Sequence, residues 1–256
     1  MFYGICNLSI VPVRFEPSDT SEMLNQLLFG EHFTVLEKQK HWSKIQLAFD
    51  NSEGFIDNKQ YEELSKETYQ QISNKNPIFS GELIDFITDN KNQLTTILIG
   101  STLPFYNNNH CNINNTHFSY DGKTFSKKLS KETILQTAFL FLNSPFLSGG
   151  KTPFGIDSSG FTQLVYKLCG YPILRKETQQ ATQGESLSFI EESEPGDLAF
   201  FDDAEGNIVH VGIIMKDYYI IHAYGKVRID ILDHSGIYNI ETQKHTHKLR
   251  VMKKII

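Results

Sequence analysis

The chain has 256 residues, 39% of them hydrophobic and 21% charged, which provides a real core for one large or two to three small folded domains. Its formal net charge of −6 argues against nucleic acid as the main partner, because phosphate binding needs a basic face. No stretch approaches about 18 uninterrupted apolar residues, so neither a transmembrane helix nor a membrane partner is expected.

In chain order, the N-terminus (MFYGICNLSIVPVRF) lacks a basic start, a continuous apolar run and a small-residue cleavage site, so the chain is expected in the cytoplasm. Residues 1–60 then read as short strands: Tyr3 to Val13, His32 to Gln39, Trp42 to Phe49 and Gly54 to Ile56, separated by turn signals. Strands of this length and spacing predict a small β-barrel. Residues 61–77 are polar and helix-prone up to Pro77 and read as a linker. Residues 78–128 again read as short strands with loops, a second, diverged barrel. Cys6, Cys111 and Cys169 are an odd, unpaired set and are expected as reduced core thiols.

From Ser130 the period changes. Ile134, Thr137, Ala138, Phe141 and Leu142 recur at helical spacing behind Ser130 as N-cap. A loop follows, and Ser158-Ser159-Gly160-Phe161 opens a second helix with Phe161, Leu164, Val165 and Leu168 on one face, closed by Gly170. The remainder is mostly strand: Asp197 to Phe201, Ile208 to Met215, Tyr218 to Ala223 and Val227 to Leu232. Helices first and sheet after is an α+β layout.

The residues that carry chemistry fall in this half. Ser158 stands at a helix N-terminus, where free amides and a partial positive charge favour an anion. A hairpin turning near Lys216-Asp217 puts His210 nearly opposite His222, and opposed residues share a face with Cβ atoms about 4.5–5.5 Å apart. One histidine can then act as a base while the other orients it.

The order Gly155-Ile156-Asp157-Ser158-Ser159-Gly160-Phe161, Pro195-Gly196-Asp197, His210-Val211-Gly212-Ile213 and Ile221-His222-Ala223 resembles the NlpC-type cell-wall peptidases, a papain-like cysteine peptidase family. The segments Val13 to Ser18, Leu28 to Glu31 and Glu53-Gly54-Phe55-Ile56 resemble the bacterial SH3-like domains that often precede such peptidases. The resemblance implies a papain-like catalytic domain at residues 129–256, with helices followed by an antiparallel sheet, behind one or two SH3-like barrels. It implies Ser158 in the nucleophile's place, His210 as base and His222 in the orienting third position. Asp157 and Ser159 would line the cleft, and Asp157 or Glu53 would bind a substrate ammonium. Phe55, Ser148, Arg175 and Tyr224 are the other substrate-binding candidates. The implied substrate is a murein-derived peptide with a free N-terminal L-alanine, cut after γ-D-glutamate by a monomer that needs no cofactor.

The chain departs from that pattern in a cluster. The family's cysteine is Ser158, its usual Pro-Tyr-Leu-Trp-Gly-Gly is Pro145-Phe146-Leu147-Ser148-Gly149-Gly150, an expected aspartate is Lys176, and Tyr224 replaces a small residue. A helix N-terminus contributes at most about 2 kcal/mol, which can tune a thiol but cannot ionise an alcohol. Ser158 is therefore expected to be a poor nucleophile unless a further acid supports His210. Two readings stay open: an enzyme using Ser158, His210 and His222, and a non-catalytic or re-specified homologue that kept the cleft. Pro145 to Thr152 nearly spells a phosphate loop, but Pro145 takes the first glycine's place and a helix precedes it where a strand is required. His245-Thr246-His247 and the group His110, Cys111 and His117 lack metal-ligand spacing; their histidines read as solvated surface residues, and the basic stretch Lys244 to Lys254 as a solvated face.

Overall fold

In the computed structural model, which describes residues 2–256, the chain divides after Lys127 into two units, each with its own sheets. Period-2 alternation builds the first. Strands β1 (Phe2–Ile5), β2 (Ile10–Arg14), β3 (Met23–Leu28), β4 (His32–Lys38), β5 (Trp42–Leu47), β6 (Glu53–Asp57) and β7 (Glu62–Leu64) form one antiparallel sheet in the order β3-β2-β6-β5-β4-β1-β7. Its inward residues, among them Val11, Val13, Leu27, Phe33, Ile45 and Ile56, make a continuous core.

Two expectations do not hold in this unit. Residues 61–77 are not a linker: β7 pairs with β1, Leu64 opposite Tyr3, and α1 (Lys66–Ser73) follows. Ser65 caps that helix by accepting from the Thr68 amide at 3.0 Å. Only Leu64 and Ile72 in this polar stretch are buried apolar residues, so composition alone hides its place in the fold. Residues 78–128 are also not an independent barrel. β8 (Phe79–Ser80) pairs with β13 (Thr124–Phe125), while β9 (Ile84–Asp89), β10 (Leu94–Leu98), β11 (His110–Ile113) and β12 (Thr116–Ser119) form a four-stranded sheet. That sheet shares one core with the first, because Ile87, Ile97, Cys111 and Phe118 cluster with Tyr3, Phe29 and Leu64.

The second unit is α+β. It opens with α2 (Lys131–Phe139), which buries Ile134, Thr137 and Ala138, with Phe141 buried just beyond it. Leu142, expected on the same face, lies past the helix and is exposed. A short hairpin, β14 (Lys151–Thr152) and β15 (Gly155–Ile156), leads into α3 (Ser158–Leu168), buried along its whole length. α3 ends in a Schellman motif: the amides of Gly170 and Tyr171 bond to the carbonyls of Lys167 and Tyr166, with Gly170 at φ +83°. After α4 (Glu177–Gln180) come β16 (Glu185–Leu187), β17 (Leu198–Asp202), β18 (Ile208–Ile214), β19 (Tyr219–Tyr224), β20 (Lys226–Asp233), β21 (Gly236–Asn239) and β22 (Lys244–Lys254). They pair in the order β16-β22-β17-β18-β19-β20-β21, and β22 also pairs with β21, which closes β17 to β22 into a barrel. The basic stretch 244–254 keeps the solvated face expected of it at Lys244, Lys248 and Arg250, and as β22 it also closes this barrel, with Met252 in its core. Among the described residues no helix is long and apolar enough to cross a membrane.

Candidate active site

The N-terminus of α3 is held by a polar clamp. Asp157 is the N-cap, its Oδ1 accepting from the Gly160 amide at 2.6 Å and its Oδ2 from the Gly149 amide at 2.9 Å. Arg175 bridges both carboxylate oxygens at 2.9 and 2.8 Å and donates to Ser159 Oγ at 2.9 Å. A Cβ on Gly160 would lie 2.4 Å from the Gly150 carbonyl oxygen and 2.9 Å from Asp157 Oδ1, so the motif's glycine is required by this clamp. Asp157, Ser159 and Arg175 were expected as cleft residues. The structure brings them together and engages them with one another: Ser159 and Arg175 are each 3% exposed, and two amides and a guanidinium already satisfy the Asp157 carboxylate.

This clamp sets where Ser158 stands. Ile156 bridges Phe146, whose amide donates to the Gly225 carbonyl at 3.0 Å, and Pro145 bridges Lys226. The start of α3 is thereby tied to the β19–β20 hairpin, at the end of β19 that carries His222. α3 then packs across β18 and β19. Ser158 is 6% exposed, as is His210.

The two histidines share a face, but in a different register from the one expected. The turn spans residues 216–218, with Asp217 and Tyr218 at φ +56° and +60°, and Ile214 pairs with Ile220. His222 is therefore opposite Gly212, and His210 lies diagonally from it on the same face. The contact survives this shift: His210 Nε2 and His222 Nδ1 are 2.8 Å apart, with the rings perpendicular.

Behind His222 stands a residue that sequence reasoning missed. Asp230, on β20, is fully buried, and its Oδ2 lies 3.2 Å from His222 Nε2. Arg228 donates to both its oxygens, at 2.7 and 3.1 Å, and the Ile240 amide and Asn239 Nδ2 add contacts at 3.3 Å each. Arg228 in turn reaches Glu241 at 3.0 Å. The signal was an acid between two isoleucines in a strand, Val227-Arg228-Ile229-Asp230-Ile231-Leu232, two residues after an arginine on the same face. The second missed residue is His247. It is not a solvated surface group: its ring stacks on that of His210, with centroids 4.1 Å apart and planes at 24°. It also lines a cavity of about 320 Å³ with Asp202, Asp203, His245 and Lys248. His245, by contrast, is exposed and paired with Asp233 at 2.8 Å.

Electrostatics follow from burial. Burial holds His210 well below the usual imidazole range, and the His222 and His247 rings push it further down. Burial also lowers His222, against the pull of Asp230, and lowers His247 to about 4. Burial pushes the Asp230 carboxyl up, but hydrogen bonds from His222, Arg228 and the Ile240 amide outweigh it, so Asp230 stays ionised below the usual range. The network then assigns both tautomers. An ionised Asp230 only accepts, so His222 carries its proton on Nε2 and presents the Nδ1 lone pair. That lone pair accepts from His210 Nε2–H, which leaves His210 Nδ1 as a free base.

Of the remaining expected site residues, Ser148 and Tyr224 belong to the second unit and Glu53 and Phe55 to the first. Ser148 is exposed in the turn before Gly149. Tyr224 is 47% exposed, with its ring edge-on to His247 at 4.9 Å. Glu53 and Phe55 lie on β6 of the first unit, where Glu53 is exposed and pairs with Lys44 at 2.8 Å. Among the described residues no group of three or more His, Cys, Asp or Glu side chains is arranged to hold a metal ion.

Comparison with known proteins agrees with this geometry. Residues 143–250 match the family model described as NlpC/P60 family, and residues 13–60 match that of the bacterial dipeptidyl-peptidase SH3 domain. The chain is 36% identical over 99 residues to a gamma-D-glutamyl-L-lysine dipeptidyl-peptidase of Bacillus subtilis, an alignment covering 38% of this chain and 33% of that protein. The match thus spans about a third of that relative's length. A dipeptidyl-peptidase 6 of Lysinibacillus sphaericus is 24% identical over 85% of this chain and 87% of its own. An NlpC/P60 family protein of Bacillus cereus, at 19% identity, shares the fold over 99% of both chains with a TM-score of 0.83. With the histidine pair on one sheet face and the capped helix across it, these matches establish that the chain carries an NlpC/P60 family domain behind a bacterial dipeptidyl-peptidase SH3 domain.

Proposed function

We propose that this chain is a hydrolase of murein-derived peptides that cuts the amide bond following γ-D-glutamate in peptides with a free N-terminal L-alanine. Ser158 serves as nucleophile, His210 as base and His222 as the group that orients it. The observation that carries this reading is the 2.8 Å contact between His210 and His222, buried beneath a helix whose first residue is Ser158. A module that only bound ligand would have no use for an oriented, neutral imidazole. The γ-D-glutamyl linkage for which the Bacillus subtilis relative is named supports the substrate class.

In the first step the Ser158 Oγ–C bond forms and the Ser158 proton passes to His210. The oxyanion faces the amides at the start of α3. The C–N bond then breaks, the leaving amine takes the proton from His210, and water hydrolyses the acyl ester.

The test is turnover of L-Ala-γ-D-Glu-diaminopimelate and L-Ala-γ-D-Glu-L-Lys peptides, followed by mass spectrometry. The chain is compared with Ser158→Ala, Ser158→Cys and His210→Ala. Cleavage that persists in Ser158→Cys and disappears in Ser158→Ala and His210→Ala supports the reading. Ligand binding with no turnover in any form would leave a re-specified, non-catalytic cleft, a reading that exposed Tyr224 and Ser148 would then favour.

A further inference from the structure

We infer that Asp230 completes a Ser158–His210–His222–Asp230 relay that makes the serine hydroxyl a working oxygen nucleophile, so that this site runs serine chemistry in a cysteine peptidase framework. The inference rests on the reading of Ser158 as nucleophile and goes beyond it. A thiol needs only to be ionised, whereas an alcohol must lose its proton during attack, and the imidazolium then formed must be stabilised. In serine hydrolases a buried carboxylate does this through one imidazole. Here two imidazoles lie in series before the carboxylate.

The geometry suits that task. The two links behind His210 run diagonally between neighbouring strands, from β18 to β19 and from β19 to β20, at 2.8 and 3.2 Å. Every donor in the series points the same way: His210 Nε2–H to His222, then His222 Nε2–H to Asp230. Among the described residues, none takes up the remaining ring nitrogen of the series, His210 Nδ1, the base that a hydroxyl needs. His222 and Asp230 are fully buried, so no water competes for either link. Arg228 grips Asp230 in bidentate fashion and is itself held by Glu241. That grip fixes the carboxylate and keeps it charged. Asp230 acts through His222 and touches no substrate, which makes it a positioning residue.

The test avoids any assumption about the peptide. The intact chain is treated with an alkyl fluorophosphonate, an oxygen-nucleophile probe. The Ser158 Oγ–P bond forms, the P–F bond breaks, fluoride leaves and the serine proton passes to His210. Peptide mapping is expected to place the label on Ser158 and to find none in Ser158→Ala. Asp230→Asn is expected to lower the limiting labelling rate by about a hundredfold while leaving the half-saturating probe concentration unchanged. In parallel, ¹⁵N-histidine spectra are expected to show His210 protonated on Nε2 and His222 on Nε2 in the unmodified chain. Absence of label on Ser158 overturns the inference, as does labelling of Asp230→Asn at the unmodified rate. If Asp230→Asn does not fold, the labelling of Ser158 and the two tautomers still decide it. Label on Ser158 without peptide cleavage would sink the substrate reading and leave the relay standing. Peptide cleavage without label would do the reverse.

Discussion

Gly212 lies directly opposite His222 in the β18–β19 pairing, and a Cβ on it would stand 2.9 Å from His222 Cβ and 2.7 Å from Ile220 Cδ1. His222 can take its place only because its cross-strand neighbour has no side chain. Gly212→Ala is expected to push β19 outward and lengthen the His210–His222 link. Overpacking of this kind costs about 1–3 kcal/mol, and a misplacement near 1 Å costs about a hundredfold in rate. Thermal melting and probe labelling of Ser158 check the two effects separately, and a variant that melts and labels like the parent would contradict this account.

The clamp at the start of α3 predicts a stability effect. Arg175→Ala leaves the Asp157 carboxylate with its amide donors but without its ion pair, and removes a bidentate contact from a nearly closed site. Breaking one partner of such a pair costs about 3–5 kcal/mol when both are buried. The Asp157 side chain keeps 17% of its exposure, so the lower end of that range is expected in urea denaturation.

The pH dependence of stability has a definite sign. His247 falls to about 4 in the folded chain, against an ordinary value of 6.5, and His32 in the first unit does the same. The unfolded chain therefore binds more protons between these values. Stability from keeping these rings neutral is fully present above about pH 6.5 and is lost as the pH falls toward 4. Denaturant midpoints at pH 7.5, 6 and 5 are expected to decrease in that order. For activity the same burial means that His210 stays an unprotonated base below pH 6.5, so the acid limb of the labelling rate is expected well below that value.

Stacking of His247 on His210 predicts a further effect. His247→Ala opens one ring face of His210 to water, relieves part of the burial that lowers it, and is expected to move the acid limb upward. His247→Phe keeps an aromatic ring in the stack and is expected to leave the acid limb closer to that of the parent. Equal limbs in the two variants would show that burial by this ring does not set the base.

Much of the site was legible in the chain order. Ser158-Ser159-Gly160-Phe161 announces a helix start, because the apolar spacing that follows is a local signal that needs no partner strand, although Asp157, expected in the cleft, proved to be its N-cap. Period-2 alternation likewise put His210 and His222 on strands, although a three-residue turn with positive φ at Asp217 and Tyr218 moved their pairing from nearly opposite to diagonal. The polar composition of residues 61–77 concealed β7 and α1, whose two inward residues, Leu64 and Ile72, find their core only once β7 pairs with a strand about sixty residues earlier.

Local pattern was enough to establish the α+β class, the helix that begins at Ser158 and the two histidines that accompany it. Three relationships came from the folded chain alone: Asp230 stands behind His222, His247 covers His210, and Arg175 holds Asp157. Alternation tells which face of a strand a residue occupies but not which strand lies beside it. Asp230 reaches His222 through the pairing of β20 with β19, and His247 reaches His210 only because β22 returns to close the barrel against β17. Such long-range pairings are selected by the fit of the whole core, and no local run of residues carries their signature.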